Sequence, residues 1–102
     1  MSVSGLDPII HAPARLQIMA VLAGVQDAEF ALLRDTVQVS DSVLSKHLAQ
    51  LAEAGYITLR KAALDGRQRT WAALTREGRR AFTGHIKALQ ALAAVIDHAA
   101  AE

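Results

Sequence analysis

The sequence predicts a mainly α-helical fold with one small antiparallel β hairpin, an α+β arrangement. Three observations lead to this prediction. Apolar residues recur at helical spacing through most of the 102 residues. The dipeptide Asp65-Gly66 separates two short runs that contain β-forming residues. A seven-residue apolar repeat marks the last quarter of the chain. At this length we expect a single domain over residues 1–102.

Capping residues and glycines divide the first half of the chain into helices. Asp7 followed by Pro8 indicates a short helical turn. Pro13 begins a second helix, and Gly24 is placed to end it. A connector at 26–29 precedes a shorter helix, and Ser40 is a good N-cap for the next one, over about residues 40–54. The inward faces of these two helices are Phe30, Leu33 and Val37, then Leu44, Leu48 and Leu51.

The pattern changes to β after Gly55, which we expect in the left-handed conformation. The runs 56–64 and 68–74 flank Asp65-Gly66, a strong signal for a tight hairpin. Thr75 then caps a last helix over about residues 76–99. This order of helices, hairpin and long final helix is that of a winged helix-turn-helix with an added C-terminal helix.

The distribution of charge points to a polyanion. The net charge is only +1, but residues 56–80 alone carry +5, which leaves −4 for the rest of the chain. The cations of this segment are Arg60, Lys61, Arg67, Arg69, Arg76, Arg79 and Arg80. A basic segment on a mildly acidic body is typical of proteins that bind nucleic acid, although a solvated charged hairpin has the same composition.

The outward face of the helix at 40–54 is small and polar, with one cation and no acid near its centre. Short side chains allow a helix to enter the major groove of DNA closely, and hydroxyls and amides can meet base edges or phosphates. Arginines on a hairpin can follow the DNA backbone or reach into the minor groove. The expected DNA contacts are Ser40, Ser42, Val43, Ser45, Lys46 and Gln50 on the helix, and Lys61, Arg67 and Arg69 on the wing at about 60–70. We expect Trp71 to pack in the core beneath the wing.

The last helix carries an apolar stripe that its own domain has too little surface to cover. A second copy of the helix would cover it best, which predicts a homodimer. The alternative is that the helix folds back on its own domain. The expected interface residues are Ile9, Ile10, Phe82, Ile86, Leu89, Leu92, Ala93 and Ile96.

A family resemblance supports this interpretation. The string "LLRDTVQVSDSVLSKHLAQLAEAGYITLRK" resembles the helix-turn-helix core of the MarR and ArsR regulators. The stretches "LDPIIHAPARLQIMAVLAG" and "RTWAALTREGRRAFTGHIKALQAL" are similar to a compact family of stand-alone winged-helix proteins. The match covers about Leu6 to Leu92. It implies a dimeric regulator of transcription, expected to be a repressor, with Ser42, Ser45 and Lys46 facing bases and the wing arginines beside them.

Several other function classes find little support. The chain has no cysteine, which excludes disulfides and thiolate metal sites and fits the reducing cytoplasm in which we expect it. We see no signal peptide and no apolar run long enough to cross a membrane. His85 lies about 20 Å along the last helix from Asp97 and His98, and these two neighbours point about 100° apart, so one chain cannot gather the three around a metal. We expect no metal and no cofactor, and a His/Asp site at the dimer interface stays open. The sequence is silent on effectors.

An enzyme is not expected, because Ser45 and His47 point about 160° apart on their helix and no Ser-His-Asp chain can form. The alternative that stays open is a winged helix that docks another protein and does not bind specific DNA.

Overall fold

The computed structural model describes residues 5–101, with side chains described for residues 5–98. The elements in chain order are α1 (Pro8–His11), α2 (Pro13–Ala23), β1 (Ala28–Glu29), α3 (Phe30–Val37), α4 (Asp41–Glu53), β2 (Ile57–Leu64), β3 (Arg67–Leu74) and α5 (Arg76–Ala101). The strands form one antiparallel sheet in the order β1-β3-β2. The predicted α+β fold, a winged helix with a long last helix, is confirmed.

The predicted helix caps are present. The Ser40 hydroxyl accepts a hydrogen bond from the Val43 N–H at 3.2 Å at the start of α4. The Thr75 hydroxyl accepts one from the Gly78 N–H at 2.9 Å at the start of α5. Gly55, which follows α4, has a φ of +83°, the left-handed conformation that ends many helices.

The hairpin turns where the sequence predicted. Asp65 and Gly66 have φ values of +53° and +76°, as a two-residue type I′ turn requires, and Leu64 pairs with Arg67 across it. The strand β1 was not predicted, since residues 26–29 were assigned to a connector. It has only two residues, too few for an alternating pattern to be recognised, and its pairing with β3 is a tertiary contact.

The core lies around α2, against which α1, α3, α4, β3 and α5 pack. Its fully buried hydrophobic side chains are Ile10, Ile18, Met19, Leu22, Leu33, Leu44 and Leu51. The expectation that Ile10 lies at a dimer interface is therefore wrong, because this side chain is enclosed by its own domain. Its neighbour Ile9 is half-buried against the same core.

The two faces of the hairpin differ in their surroundings. Ile57 and Ala72 are buried and belong to the core. Side chains alternate between the faces of a sheet, so Trp71 and its cross-strand partner Arg60 lie on the opposite face. Trp71 is half-buried there and is not part of the core, which corrects the expectation for this residue.

The last helix, α5, has a packed half and a projecting half. Its first half contacts α1, α2 and β3, and it buries Gly78 and His85. Every side chain from Gln90 to His98 is exposed. At 1.5 Å per residue the 26 residues span about 39 Å, and the molecule measures 61 × 25 × 24 Å. No helix among residues 5–101 combines the length and apolar character needed to cross a membrane.

A close backbone contact fixes the start of α5. A Cβ atom placed on Gly78 would lie 1.9 Å from the carbonyl oxygen of Tyr56. That same oxygen accepts a hydrogen bond from the Thr75 N–H at 3.0 Å, and the Thr75 hydroxyl donates to the Gly55 carbonyl at 2.6 Å. The corner between α4 and β2 is thus held against the first turn of α5 at a distance that only glycine permits.

We predict that Gly78→Ala lowers the free energy of unfolding by about 3 kcal/mol or more, because the added methyl group meets backbone atoms that a rotamer change cannot move. Gly84→Ala is the matched control on the same helix. An added Cβ there meets nothing within 4 Å, so this variant should gain about 0.5–1 kcal/mol from helix propensity. Urea denaturation followed by circular dichroism measures both. Equal effects of the two substitutions would contradict the close packing at Gly78.

Candidate nucleic-acid interface

The outer face of α4 has the composition expected of a helix that enters a DNA groove. Ser42, Val43, Ser45 and Lys46 are exposed, while the three leucines of the helix are buried. Among the described residues Lys46 forms no ion pair, so its charge is available to a ligand. The face therefore has short polar side chains around one cation, with the exposed acid Glu53 two turns further along the same side.

The first turn of α4 is polar, and an ion pair neutralises the charge of its one acid. Ser40, the N-cap, is exposed, and its hydroxyl lies 3.5 Å from that of Ser42. Asp41 is the acid of this turn, and its carboxylate accepts a hydrogen bond from Arg34 of α3 at 3.2 Å. This ion pair reduces the repulsion that Asp41 would exert on a phosphate group near the helix N-terminus.

Gln50 and His47 are held by α2. The Arg15 guanidinium donates to the Gln50 side-chain oxygen at 2.6 Å and to Nδ1 of His47 at 3.1 Å, and its Nε donates to the Ile9 carbonyl. Gln50 is exposed but turned toward α2 by this bond, and its DNA contact stays a prediction. Burial, followed by the charge of Arg15, lowers the pKa of His47.

The two wing arginines predicted to contact DNA differ. Arg67 is exposed next to the turn and forms no ion pair in the described part of the chain. Arg69 lies two residues further from the turn and pairs with Glu29 of β1 at 2.5 Å, with their side chains 32% and 22% exposed. This pairing raises the pKa of Arg69 and orients its guanidinium toward β1, so Arg69 is less available to a phosphate than Arg67, and its DNA contact stays a prediction. Lys61 is exposed on the opposite face of the hairpin.

Arg60 and Trp71 form a cluster that the sequence reasoning missed. Arg60 donates to Asp27 at 3.0 Å, and its guanidinium lies 6.0 Å from the centre of the Trp71 ring, the geometry of a cation–π contact. The hairpin turn at 65–66 pairs position 60 with position 71, so counting outwards from the turn would have found this contact.

The remaining cations of the basic segment lie on α5, away from the wing turn. Arg79 donates to the Ala23 carbonyl at 3.2 Å. A groove of about 450 Å³ is lined by Arg76, Arg79, Arg80, Thr83, Gly84 and Lys87. Since α5 starts where β3 ends, the eight residues of β3, about 26 Å, separate this groove from the turn at Asp65. The basic segment 56–80 thus divides between two surfaces.

The apolar residues predicted for a dimer interface fall into two groups. Leu92 and Ile96 are 38% and 61% exposed, and Ala93 is exposed as well. Val95, at 65%, was not predicted. The other group, Phe82, Ile86 and Leu89, is half-buried. Of these, Phe82 packs against its own core. The stripe is therefore covered by the chain itself in its first half and uncovered in its second.

A polar cluster joins the N-terminal segment to α5. His85 is fully buried, and its Nδ1 accepts the backbone N–H of Asp7 at 3.0 Å. The Asp7 carboxylate accepts the Tyr56 hydroxyl at 2.5 Å and the Ile9 N–H at 2.8 Å. The bond to Asp7 is the main cause that raises the pKa of Tyr56 to about 12. No pattern in the sequence indicated that these residues lie close together.

The same cluster contains two neighbouring histidines. Nδ1 of His11 lies 3.5 Å from Nε2 of His85. An N–H group already occupies the lone pair of Nδ1 of His85, so its Nε2 carries the ring hydrogen and is a donor, not a metal ligand. Within the described side chains no three histidines or carboxylates stand together as a metal site requires.

Comparison with known proteins gives the family. A family model described as a winged helix DNA-binding domain matches residues 14–93. An uncharacterised protein of Methanocaldococcus jannaschii is 33% identical over 78 residues, which cover 76% of this chain and 85% of that protein.

Solved structures agree with this assignment. The transcriptional regulator homologue of Pyrococcus horikoshii superposes with a TM-score of 0.82 at 26% identity, covering 87% of this chain and 88% of that one. The YusO protein of Bacillus subtilis has the same fold, with a TM-score of 0.79 at 19% identity over 92% of this chain and 66% of its own. The chain belongs to the winged helix DNA-binding domain family, whose fold is that of transcription regulators and not of enzymes.

Proposed function

We propose that the chain, acting as one domain over residues 1–102, is a sequence-specific regulator of transcription that binds double-stranded DNA as a homodimer. In this proposal α4 enters the major groove, the wing follows the adjacent backbone, and the bound dimer represses transcription by covering its operator. The observation that carries the proposal is the exposed polar face of α4 at Ser42, Ser45 and Lys46, beside Arg67 at the wing turn, which forms no ion pair among the described residues.

The face of α4 fits the dimensions and chemistry of the major groove. The groove is about 12 Å wide, so a helix with short side chains can approach the base edges. The hydroxyls of Ser42 and Ser45 can donate or accept, and Lys46 can donate to guanine or to a phosphate. Val43 is 39% exposed, which leaves an apolar surface for a thymine methyl group.

The projecting half of α5 supports the homodimer. A helix that stands clear of its domain with Leu92, Val95 and Ile96 exposed gains stability when a second copy covers that stripe. Two domains joined in this way can read two half-sites about 34 Å apart, one turn of the duplex. One domain alone reads too few base pairs to distinguish an operator from the competing sites of a genome.

We predict different consequences for substitutions on the helix and on the wing. Ser42→Ala and Lys46→Ala should lower the ratio of specific to random affinity, since base-edge contacts contribute about 1–3 kcal/mol each. Arg67→Ala should weaken binding to both duplexes alike and reduce the salt slope by about one unit, the value for one phosphate contact. Titration of operator and random duplexes at two salt concentrations measures both effects.

Arg69→Ala is the matched control for the wing. Because Arg69 is paired with Glu29, its loss should reduce the salt slope less than the loss of Arg67 does. The DNA would come from upstream of the gene, where such regulators often bind. Full discrimination by the Ser42 and Lys46 variants would contradict the assignment of the α4 face. A wild-type protein that shows no duplex binding at all would favour the docking module.

We predict that Val95→Asp combined with Ile96→Asp gives a folded monomer with little operator affinity. Both side chains are exposed in the single chain, so the substitutions should leave its helix content intact, whereas two carboxylates buried in a seam cost several kcal/mol each. Sedimentation velocity measures the assembly.

The control places the same charges elsewhere on the same helix. Gln90 and Ala94 are exposed and lie on the side of the projecting half opposite to the stripe of Leu92, Val95 and Ile96, so their replacement by Asp should leave a dimer. A Val95/Ile96 variant that stays dimeric would place the interface elsewhere. A wild-type chain that is monomeric at micromolar concentration would contradict the paired-half-site mechanism.

A further inference from the structure

We infer that His85 is a positioning residue for DNA binding: its neutral form holds the N-terminal segment between α5 and the α4–β2 corner, and its protonation releases that segment and weakens operator binding. The inference rests on the proposed function for its DNA readout. Its structural part, the release of the segment, can be measured without DNA.

The first step is the hydrogen-bond pattern of His85. The ring is fully buried, and its Nδ1 accepts the Asp7 N–H at 3.0 Å. Nδ1 must therefore be unprotonated, which places the ring hydrogen on Nε2, 3.5 Å from Nδ1 of His11. A second proton on His85 would set an N–H group against the Asp7 N–H. The hydrogen bond would become a repulsive contact, and the buried cation would have no acceptor at that nitrogen.

The second step is the connection from His85 to the DNA-reading helix. Asp7, whose N–H meets His85, also accepts the Tyr56 hydroxyl through its carboxylate. The Tyr56 N–H in turn donates to the Leu51 carbonyl of α4 at 3.0 Å. The Tyr56 carbonyl accepts a hydrogen bond from the Thr75 N–H at the start of α5. Asp7 is thus the bridge between α5, which we propose carries the partner subunit, and the end of α4. Loss of this bridge loosens the angle between the two helices.

The third step is the balance of charge around His85. The groups that face it from α1 are the His11 ring, with its centroid 5.4 Å away, and the Asp7 carboxylate at the helix cap. Further from the ring, the Tyr56 hydroxyl of the α4–β2 corner meets the Asp7 carboxylate, Arg15 of α2 donates to the Ile9 carbonyl, and the Glu77 carboxylate of α5 lies near Gly55. Burial and then the charge of His11 lower the pKa of His85, and they outweigh Asp7, which raises it.

The lowered pKa of His85 determines how docking of the N-terminal segment depends on pH. A histidine with its pKa lowered in the docked arrangement binds fewer protons there than in the released one. Docking is therefore favoured above the ordinary histidine pKa of about 6.5 and is lost as the pH falls below it. Charging a histidine near DNA would by itself strengthen binding to the phosphates, so a decrease of affinity in acid is the opposite of the general electrostatic trend.

The experiment measures operator affinity of the full chain from pH 7.5 to pH 5.5 at constant ionic strength. For the wild type we expect the operator affinity to decrease as the pH is lowered beyond about 6.5. The decrease should be at most about tenfold per pH unit for each proton taken up. His85→Asn keeps an acceptor near the position of Nδ1 but does not titrate. This variant should therefore bind the operator at pH 7.5 and show no decrease of affinity in acid.

Two matched variants separate this role from mere stability. Tyr56→Phe removes the bond that links Asp7 to the α4–β2 corner, so it should reduce the acid decrease of affinity although His85 still takes up its proton. His11→Asn, at an exposed position, removes the second imidazole ring and should keep the decrease. A decrease that persists in His85→Asn, or that is abolished equally by His11→Asn, would overturn the assignment to His85.

Nuclear magnetic resonance of the wild type supplies the readout that needs neither DNA nor a folded variant. The ¹⁵N shifts of His85 should show the neutral Nε2–H form at pH 7.5, and its protonation should coincide with shifts of the Asp7 and Tyr56 amide signals. Asp7 and Tyr56 signals that stay fixed while His85 protonates would overturn the inference. Absence of operator binding at pH 7.5 alongside these coincident shifts would instead refute the proposed function and leave the structural switch standing.

Discussion

The contact between the backbone of Gly78 and that of Tyr56 is the constraint on which the arrangement of the whole chain depends. The approach is closer than any side chain allows, and it holds the end of α4 against the beginning of α5. Thr75 adds bonds to both Gly55 and Tyr56 at the same place. A large rotation of α4 relative to α5 would have to break this junction, so backbone geometry limits the range of angles between the proposed reading helix and the proposed dimer helix.

The N-terminal segment strengthens the same junction from the other side. Tyr56 contributes its carbonyl to the start of α5 and its hydroxyl to Asp7, so one residue belongs to both contacts. The hydrophobic core holds the helices together without fixing their exact angles, whereas hydrogen bonds with defined partners select one arrangement. Among the described residues the buried polar side chain is that of His85, and it reaches this corner through Asp7, which binds Tyr56.

What the sequence predicted well was local. The caps at Ser40 and Thr75 and the turn at Asp65-Gly66 are encoded within four residues, and the structure confirms them. What the sequence did not predict were the partners of side chains that are remote in the chain. Gln50 is held by a residue 35 positions away, and Arg69 by one 40 positions away. No periodic pattern contains such pairs.

The misplaced apolar residues have different physical causes. Ile10 lies on a helix of only four residues, too short for periodicity to indicate which side faces the core. Trp71 could have been placed correctly, since the turn fixes the register and alternation puts it opposite Ala72. Size and aromatic character alone favoured the core for this residue, but Arg60 covers the ring on the outer face instead. The β1 strand is a third case, because two residues gain strand geometry only from their partner.

The position of His85 along α5 connects these features. It lies at the last fully buried turn of the helix, with the junction at Gly78 two turns before it and the exposed stripe beginning within two turns after it. A change of charge at this point acts where the helix leaves its own domain. Were the ring placed nearer Gly78, the rigid junction would resist the change. Were it placed on the projecting half, the ring would be solvated and its protonation would cost nothing. Burial at the boundary is what allows one proton to alter how the two parts of the molecule are held together.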